Sequence, residues 1–178
     1  MANSTTGKVW VLDTAGLITA SPVVIRKIVL YPNAAADAAT FKYFNDGSAS
    51  YTSKGTAQTA TVSTNAVSST GNFTAAKVSA DDGINIDWTS TGNNKGVYYV
   101  VSRDSDNQVT LGAVAGAAMT DEASKLYSWT VYPSYTAAQL TSYGTEKVTE
   151  ELDIDCTRFP NLILSALSSN AKVHVFIE

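Results

Sequence analysis

The stretch GNNKGVYYVVSRDSDNQVTLG, residues 92–112, predicts the fold class of this chain. It contains two runs rich in β-branched and aromatic residues, Val97–Arg103 and Gln108–Leu111, and each run has the length of a strand. Asn, Asp and Gly residues lie before and between these runs. Such residues tolerate the left-handed backbone conformation, and Asn and Asp also bond their own backbone, as short β-connections require. The stretch therefore predicts antiparallel strands joined by tight turns whose polar residues need no chemical role.

Strand-like runs recur along the rest of the 178 residues, and helix signals are almost absent. The other predicted strands are Lys8–Asp13, Leu17–Thr19, Val23–Tyr31, Thr40–Phe44, Ile84–Trp88, Leu126–Tyr132, Lys147–Cys156, Asn161–Leu167 and Lys172–Glu178. One short helix is predicted at Ala137–Tyr143, because Thr136 and Gln139 have the spacing of a capping box. Residues 47–70 fit either a long surface loop or an exposed hairpin. About ten to twelve short strands with close turns are typical of an all-β sandwich or barrel.

Strict alternation predicts which side chains of two strands share a face. In the strand Val23–Tyr31, one face carries Val24, Arg26, Ile28 and Leu30, and the other carries Val23, Ile25, Lys27, Val29 and Tyr31. Neither face is purely polar, so this strand is expected to pack on both sides for part of its length. In the strand Lys147–Cys156, the residues predicted to face inward are Leu152, Ile154 and Cys156, and those predicted to face outward are Glu151, Asp153 and Asp155.

Composition and charge exclude several classes of protein. The net charge is −4, and the 12 basic residues are scattered rather than gathered in a stripe, so we predict no nucleic-acid partner. The longest apolar runs, such as Val97–Val101, are far shorter than the roughly 18 to 20 residues of a membrane-spanning helix, so no membrane partner is predicted. The single cysteine, Cys156, allows no internal disulfide. The first ten residues lack the apolar core of a signal peptide, and folding in a cytoplasm is expected.

The polar residues form no recognisable catalytic or cofactor-binding arrangement. Asp104, Asp106 and Asn107 lack the spacing of a calcium-binding loop and are predicted to form a turn. His174 is the only histidine, and no serine or cysteine nucleophile motif accompanies it, so a structural or interface role is expected. We predict neither an enzyme nor a cofactor or metal site. The acidic strand face could meet a hard cation at a subunit contact, but carboxylates that discourage edge pairing are commoner.

Aromatic residues supply the remaining candidate surface. Tyr98 and Tyr99 are adjacent in a strand, so their rings point to opposite sides of the sheet, and at least one is expected to face away from the local core. Tryptophan and tyrosine also form platforms for sugars or proteins. The predicted interface residues are Trp88, Tyr98, Tyr99, Glu151, Asp153 and Asp155.

Both ends of the chain resemble small β-sandwich proteins of tailed-bacteriophage virions. The resemblance covers roughly the first 50 and the last 30 residues, and the residues that carry it are Val24–Ile28, Asn45–Gly47, Asn161–Leu164 and Val173–Val175. Asn161 stands where a glycine is expected. The block Phe73–Leu111 is similar to a small barrel module of phage structural proteins, through the turn Asn93–Gly96 followed by Tyr98 and Val100.

This resemblance implies an architecture and a function. It implies an antiparallel β-sandwich or jelly-roll-like domain of residues 1–50 and 145–178, with a small β-barrel-like module, residues 51–144, inserted in it. The implied function is that of a head decoration (cement) protein on the virion surface, made in the host cytoplasm. Its expected partners are the major capsid protein and further copies of itself, as a trimer, and residues 1–7 are expected to be a mobile arm that orders on the capsid. The alternative is a receptor- or carbohydrate-binding module of a tail fibre or spike.

Overall fold

The structure, a computed structural model, consists of β-strands and their connections wherever it describes the chain, which confirms the predicted all-β fold class. The described residues are 3–45, 51–54, 58–61, 66–69, 73–88, 96–112, 122–125, 127–142 and 148–178. Their strands are β1 (Val9–Leu12), β2 (Gly16–Thr19), β3 (Val23–Tyr31), β4 (Ala38–Phe44), β5 (Tyr51–Lys54), β6 (Gln58–Thr61), β7 (Ala66–Ser68), β8 (Gly83–Trp88), β9 (Gly96–Ser105), β10 (Gln108–Gly112), β11 (Glu122–Lys125), β12 (Tyr127–Tyr132), β13 (Ser134–Thr141), β14 (Glu150–Phe159), β15 (Leu162–Leu167) and β16 (Lys172–Ile177). In this part of the chain, no helix has the length and apolar character needed to cross a lipid bilayer.

The chain divides into two compact units. The first unit contains Met1–Tyr43 and Tyr135–Glu178, and the second contains Phe44–Ser134. The first unit is therefore discontinuous in sequence, while the second is one continuous segment. Strand β13 lies almost entirely in the first unit, whereas the sequence-based division placed residues 51–144 in the inserted module.

The first unit is a sandwich of two four-stranded antiparallel sheets. Sheet A has the order β1-β16-β3-β14, and sheet B has the order β13-β4-β15-β2. The core lies between the sheets, since both contribute to one buried apolar cluster. Sheet A contributes Trp10, Leu12, Val23, Ile25, Ile28, Leu30, Phe159, Val173 and Val175, and sheet B contributes Ala39, Phe41, Ala138, Leu140, Leu162 and Leu164.

Strand β3 changes the side that it turns to the core at Arg26. In the pairing with β16, Phe176 lies opposite Lys27, but the next residue, Ile177, lies opposite Ile25. Arg26 is therefore an extra residue, a β-bulge, and it reverses the alternation of side chains. The strict alternation predicted from the sequence is wrong for this reason. The core receives residues from both predicted faces: Val23, Ile25, Ile28 and Leu30.

Strand β14 contains a second irregularity at Asp155 and Cys156. Both residues have positive φ angles, 52° and 55°, and the pairing with β3 shifts after Asp153. The left-handed conformation is uncommon for residues other than glycine, and two such residues in succession break the alternation of the strand. Cys156 is therefore exposed, and its predicted inward position is wrong. Leu152 and Ile154 pack against the core, as predicted.

Strand β13 occupies the segment for which a short helix was predicted. Its burial has a period of two, with Ala138 and Leu140 buried and Gln139 exposed between them. The helix prediction rested on the capping-box spacing of Thr136 and Gln139, which is a weak local signal. Pairing with β4 in sheet B outweighs that signal, as tertiary context often does.

The residues from Asn3 onward lie along β1 instead of forming the predicted mobile arm. Ser4 and Val11 exchange two backbone hydrogen bonds, 2.8 and 2.9 Å long. The Oδ1 atom of Asn3 accepts hydrogen bonds from the backbone N–H groups of Asp13 and Thr14. These bonds attach the segment to the sandwich and occupy the edge of β1.

The second unit is built on one eight-stranded sheet with the order β11-β6-β7-β10-β9-β8-β12-β5. Its two end strands do not pair with each other in the described residues, so the sheet is not a closed barrel. Its core comes from several strands of this one sheet and from residues 73–78. The core residues are Val67, Phe73, Ala76, Val78, Ile84, Ile86, Tyr98, Val100, Val109, Leu111, Trp129 and Val131.

Candidate interaction surface on the first unit

The side of sheet A that faces away from the core carries both apolar and charged side chains. We call this surface the outer face. Its residues are Val9, Val11, Lys27, Val29, Tyr31, Glu151, Asp153, Lys172, His174 and Phe176. None of them belongs to the buried cluster between the two sheets or packs against it. The outer face is thus a second surface of the sheet, separate from the core of the first unit.

The register of the four strands arranges eight of these residues in two rows across sheet A. The first row is Val11, His174, Val29 and Glu151, and the second is Val9, Phe176, Lys27 and Asp153. Residues directly opposite each other in an antiparallel pair have Cβ atoms about 4.5–5.5 Å apart, so neighbours in a row can contact one another. Each row begins with a valine on β1 and ends with a carboxylate on β14.

The apolar part of the outer face is partly open to solvent. Val9 is 40% exposed and Tyr31 is 42% exposed. The ring of Tyr31 lies against that of His174, with centroids 4.5 Å apart. Val29, which lies opposite His174 and two residues before Tyr31 on the same strand, is only 1% exposed although it lies outside the core cluster. The solvent side of an antiparallel sheet is normally polar. Packing within the first unit therefore does not explain why apolar side chains such as Val9 and Tyr31 lie on this side.

The charged part of the outer face is centred on Lys27. Its Nζ atom lies 3.2 Å from Oε2 of Glu151 and 5.1 Å from the centroid of the Phe176 ring. Beside it is a depression of about 360 Å³ lined by Arg26, Lys27, Asp153 and Phe176. The depression therefore presents both signs of charge next to an aromatic ring.

The three carboxylates predicted to align on β14 do not all lie on the outer face. Glu151 and Asp153 do, in neighbouring rows, but Asp155 lies in the left-handed bulge. Its backbone N–H donates a hydrogen bond to Oδ1 of Asp153, 3.0 Å long. The predicted alignment is thus wrong for Asp155. Among the described residues, no group of three or more His, Cys, Asp or Glu side chains is placed to hold a metal ion.

The three aromatic residues predicted at an interface lie in the second unit. Tyr98 is 6% exposed and belongs to the core, while Tyr99 points to the other side of β9 and is half-buried. Opposite directions for this pair were predicted, and the structure confirms them. Trp88 ends strand β8, where its backbone pairs with Tyr127, but its side chain lies outside the described part of the structure. The turn at residues 93–95 also lies outside it. An interface role for these aromatic residues stays a prediction.

Two carboxylates, that of Asp104 near the end of β9 and that of Asp106 in the turn between β9 and β10, hold hydroxyl groups. Asp104 accepts hydrogen bonds from Oγ of Ser102, at 2.6 Å, and from Oγ1 of Thr110, at 2.7 Å. Asp106 accepts one from Oγ1 of Thr74. These contacts confirm the turn predicted for this sequence, and they give both carboxylates a structural role.

Cys156 is the exposed thiol on the edge strand β14. Its Sγ atom donates a hydrogen bond to Oε1 of Glu178, 3.2 Å away. This bond to a carboxylate, together with partial desolvation, raises the pKa of the Cys156 thiol, while the charge of Arg26 acts weakly in the opposite direction. The thiolate is the reactive form, so the environment reduces the reactivity of this cysteine.

The apolar members of the outer face were not among the residues predicted from the sequence to form an interface. These are Val9, Val11, Val29, Tyr31 and Phe176. A signal for them was present, because β1 and β3 carry apolar residues at both odd and even positions. That pattern predicts packing on both sides of the strands but does not show which strands are neighbours. The two rows are seen only from the strand pairing in sheet A.

Comparison with models of protein families, with curated proteins and with solved structures found no match to this chain.

Proposed function

We propose that this protein is a non-enzymatic virion component that binds and stabilises the outer surface of a phage capsid, with the outer face of sheet A as the contact surface. The observation that carries the proposal is the exposure of Val9 and Tyr31 on a sheet surface that would ordinarily be polar. An apolar patch bordered by polar groups is typical of an interaction site. The capsid as partner comes from the resemblance of the chain's two ends to phage virion proteins.

The distribution of charge on the outer face favours a protein partner that docks in one orientation. Both rows run from a valine on β1 to a carboxylate on β14, so the surface has an apolar side and a charged side. A partner that fits both sides places apolar groups against Val9 and Val11 and polar groups near Asp153. Charge complementarity of this kind fixes the register of an interface more than it adds affinity.

Attachment to a capsid explains how a modest surface could be sufficient. A typical specific interface buries about 1,600 Å² in total. On a repetitive lattice, copies of the protein that are joined in an oligomer bind several equivalent sites at once. After the first copy has bound, the others are held at a high effective concentration near their sites, which raises the overall affinity without a new kind of contact. The outer face then needs only to supply one correctly oriented contact for each copy.

Co-sedimentation with capsids that lack the protein tests this proposal. We expect bound copies to saturate at a number set by the symmetry of the shell, and we expect the loaded shell to melt at a higher temperature. Shells that bind no protein, or bind it without saturation, contradict the proposal. A glycan array then tests the receptor-binding alternative, with Tyr99 as the first residue to change.

A pair of variants locates the contact surface. Val9→Glu places a charge at the apolar side of the outer face, whereas Val101→Glu places the same charge on β9 of the second unit, at a valine that is 44% exposed. Loss of a central contact of about 1.4 kcal/mol or more lowers affinity about tenfold or more. We expect that loss for Val9→Glu and wild-type binding for Val101→Glu. The reverse result excludes the outer face as the contact surface.

A further inference from the structure

The edges of the two sheets in the first unit differ in how they are protected. Edge strands present unpaired backbone N–H and C=O groups, and proteins protect them with charges, bulges, short strands or covering segments. Ser4 covers β1 through two backbone hydrogen bonds. Strand β14 contains the left-handed bulge at Asp155 and Cys156, and strand β2 has only four residues. Three of the four edge strands thus have a recognisable protection.

Strand β13 lacks each of these protections in the part of the chain that the structure describes. It is eight residues long, has the sequence SYTAAQLT and carries no charged side chain. Its outward-facing residues are exposed, among them Gln139 and Thr141. On one side it pairs with β4, and no described strand pairs with its other side. It is a long, uncharged edge that can accept a further strand.

We propose that β13 pairs antiparallel with β13 of a second copy of this chain, which joins the two B sheets into one eight-stranded sheet. The backbone groups on the side of β13 that no described strand pairs call for an extended strand, because only a strand satisfies them in series. Strand β13 of another copy meets this requirement, because it is itself extended and carries no charged side chain. Two β13 strands meet without repulsion, whereas two β14 strands would bring together the carboxylates of Glu150, Glu151, Asp153 and Asp155.

Symmetry restricts the pairing to a few registers. The two β13 strands are related by a twofold axis perpendicular to the joined sheet. Each outward-facing residue of one copy therefore lies opposite an outward-facing residue of the other. In the two registers with the greatest overlap, Gln139 lies opposite Tyr135 or opposite Ala137 of the second copy. Substitutions at Gln139 and Thr141 therefore lie at the junction without entering the core of either copy.

The test measures the mass of the protein in solution by sedimentation equilibrium. We expect the wild type to have twice the chain mass. The double variants Gln139→Lys/Thr141→Lys and Gln139→Glu/Thr141→Glu are each expected to have the mass of one chain, because four like charges gather at the junction. An equal mixture of the two variants is expected to recover the dimer mass. Thr157→Lys, at an exposed position on β14, is the matched control and is expected to stay dimeric.

Each other outcome overturns the proposal. A wild type with the mass of one chain shows that β13 does not pair, and a trimer shows an assembly that twofold pairing of β13 cannot form. If both double variants are dimers, the interface does not lie at β13. Far-ultraviolet circular dichroism equal to that of the wild type excludes unfolding as the reason for a lost dimer. The proposal does not rest on capsid binding, so a dimer that binds no shell contradicts only the proposed function.

Discussion

The two units hold their cores together in different ways. In the first unit, two sheets face each other, and aliphatic and aromatic side chains from both fill the space between them. In the second, the strands of one sheet and residues 73–78 supply the core, and the indole N–H of the buried Trp129 donates a hydrogen bond to Oγ of the buried Ser69, 3.1 Å away. The core of the second unit thus contains a directed contact between two buried side chains in addition to apolar packing.

The buried carboxylates of the two units show the same difference. Asp37, in the first unit, accepts hydrogen bonds from the backbone N–H groups of Asn33 and Ala34, within its own turn. Asp82, in the second unit, accepts one from Ser79 nearby and one from Ser134, 52 residues away. Asp37 thus stabilises its own turn, whereas Asp82 connects two segments that are distant in sequence.

The largest expected effect comes from emptying either core. Phe41→Ala in the first unit and Trp129→Ala in the second each remove a large, fully buried side chain. Each is expected to lower the free energy of unfolding by about 3–5 kcal/mol, because a cavity remains where the ring was. Hydrogen exchange read by mass spectrometry then distinguishes the units: we expect lost protection mainly in the unit that carries the substitution. Equal loss in both units from either variant contradicts two separate cores.

The next largest effect tests whether Asp82 stabilises residues distant in sequence while Asp37 stabilises only its own turn. Asp82→Ala and Asp37→Ala each leave two backbone N–H groups without their acceptor, which costs about 1–3 kcal/mol when the groups stay buried. Hydrogen exchange is expected to rise at both Ser79 and Ser134 in the first variant. In the second, the rise is expected only around Asn33 and Ala34. A local effect of Asp82→Ala contradicts its role as a long-range connection.

A smaller effect is expected from the ion pair on the outer face. Glu151→Gln removes the partner of Lys27 at an exposed position and is expected to cost about 1 kcal/mol or less, since solvent screens such pairs. Urea unfolding measures the loss, and added salt is expected to reduce it. Glu150→Gln removes the same charge from the neighbouring position and serves as control. A loss as large as that of Phe41→Ala contradicts a first unit stabilised mainly by its core.

The smallest effect concerns reactivity rather than stability. Because the hydrogen bond to Glu178 raises the pKa of the Cys156 thiol, less thiolate is present at a given pH, and alkylation by iodoacetamide is slow. Glu178→Gln is expected to move the pH profile of alkylation to lower pH and to leave the unfolding free energy nearly unchanged. Glu151→Gln, farther along β14, is the control. An identical profile for Glu178→Gln contradicts the contact.

The regular parts of the fold follow from local patterns, and the irregular parts do not. Strands β3, β8 and β9 and the turn after Ser105 have clear alternation or turn residues, and the structure contains them. The bulge at Arg26 inserts one residue without a glycine or proline to mark it, and it reverses every later assignment of face in β3. Because nothing in the sequence marks this extra residue, the strand is predicted correctly but the side to which its residues point is not.

The candidate surface could be predicted only in part. Glu151 and Asp153 were among the predicted interface residues, and alternation was sufficient to place them outward. Val9, Phe176 and Tyr31 belong to three strands that are distant in sequence, and their proximity depends on the position of β16 between β1 and β3. Strand order is a property of the whole sheet. Local periodicity carries no information about it, so the rows of the outer face required the structure.

The central position of β16 in sheet A has a consequence for synthesis on the ribosome. Strands β1 and β3 are made early, but among the described strands it is β16, residues Lys172–Ile177, that joins them. The second unit, in contrast, has all its strands once residue 134 has emerged. Translation proceeds at about 5–20 residues per second, so β1 and β3 wait for several seconds with their apolar sides uncovered. Exposed apolar surface of this kind makes an incompletely folded chain prone to aggregation, so the first unit is most vulnerable until β16 has emerged.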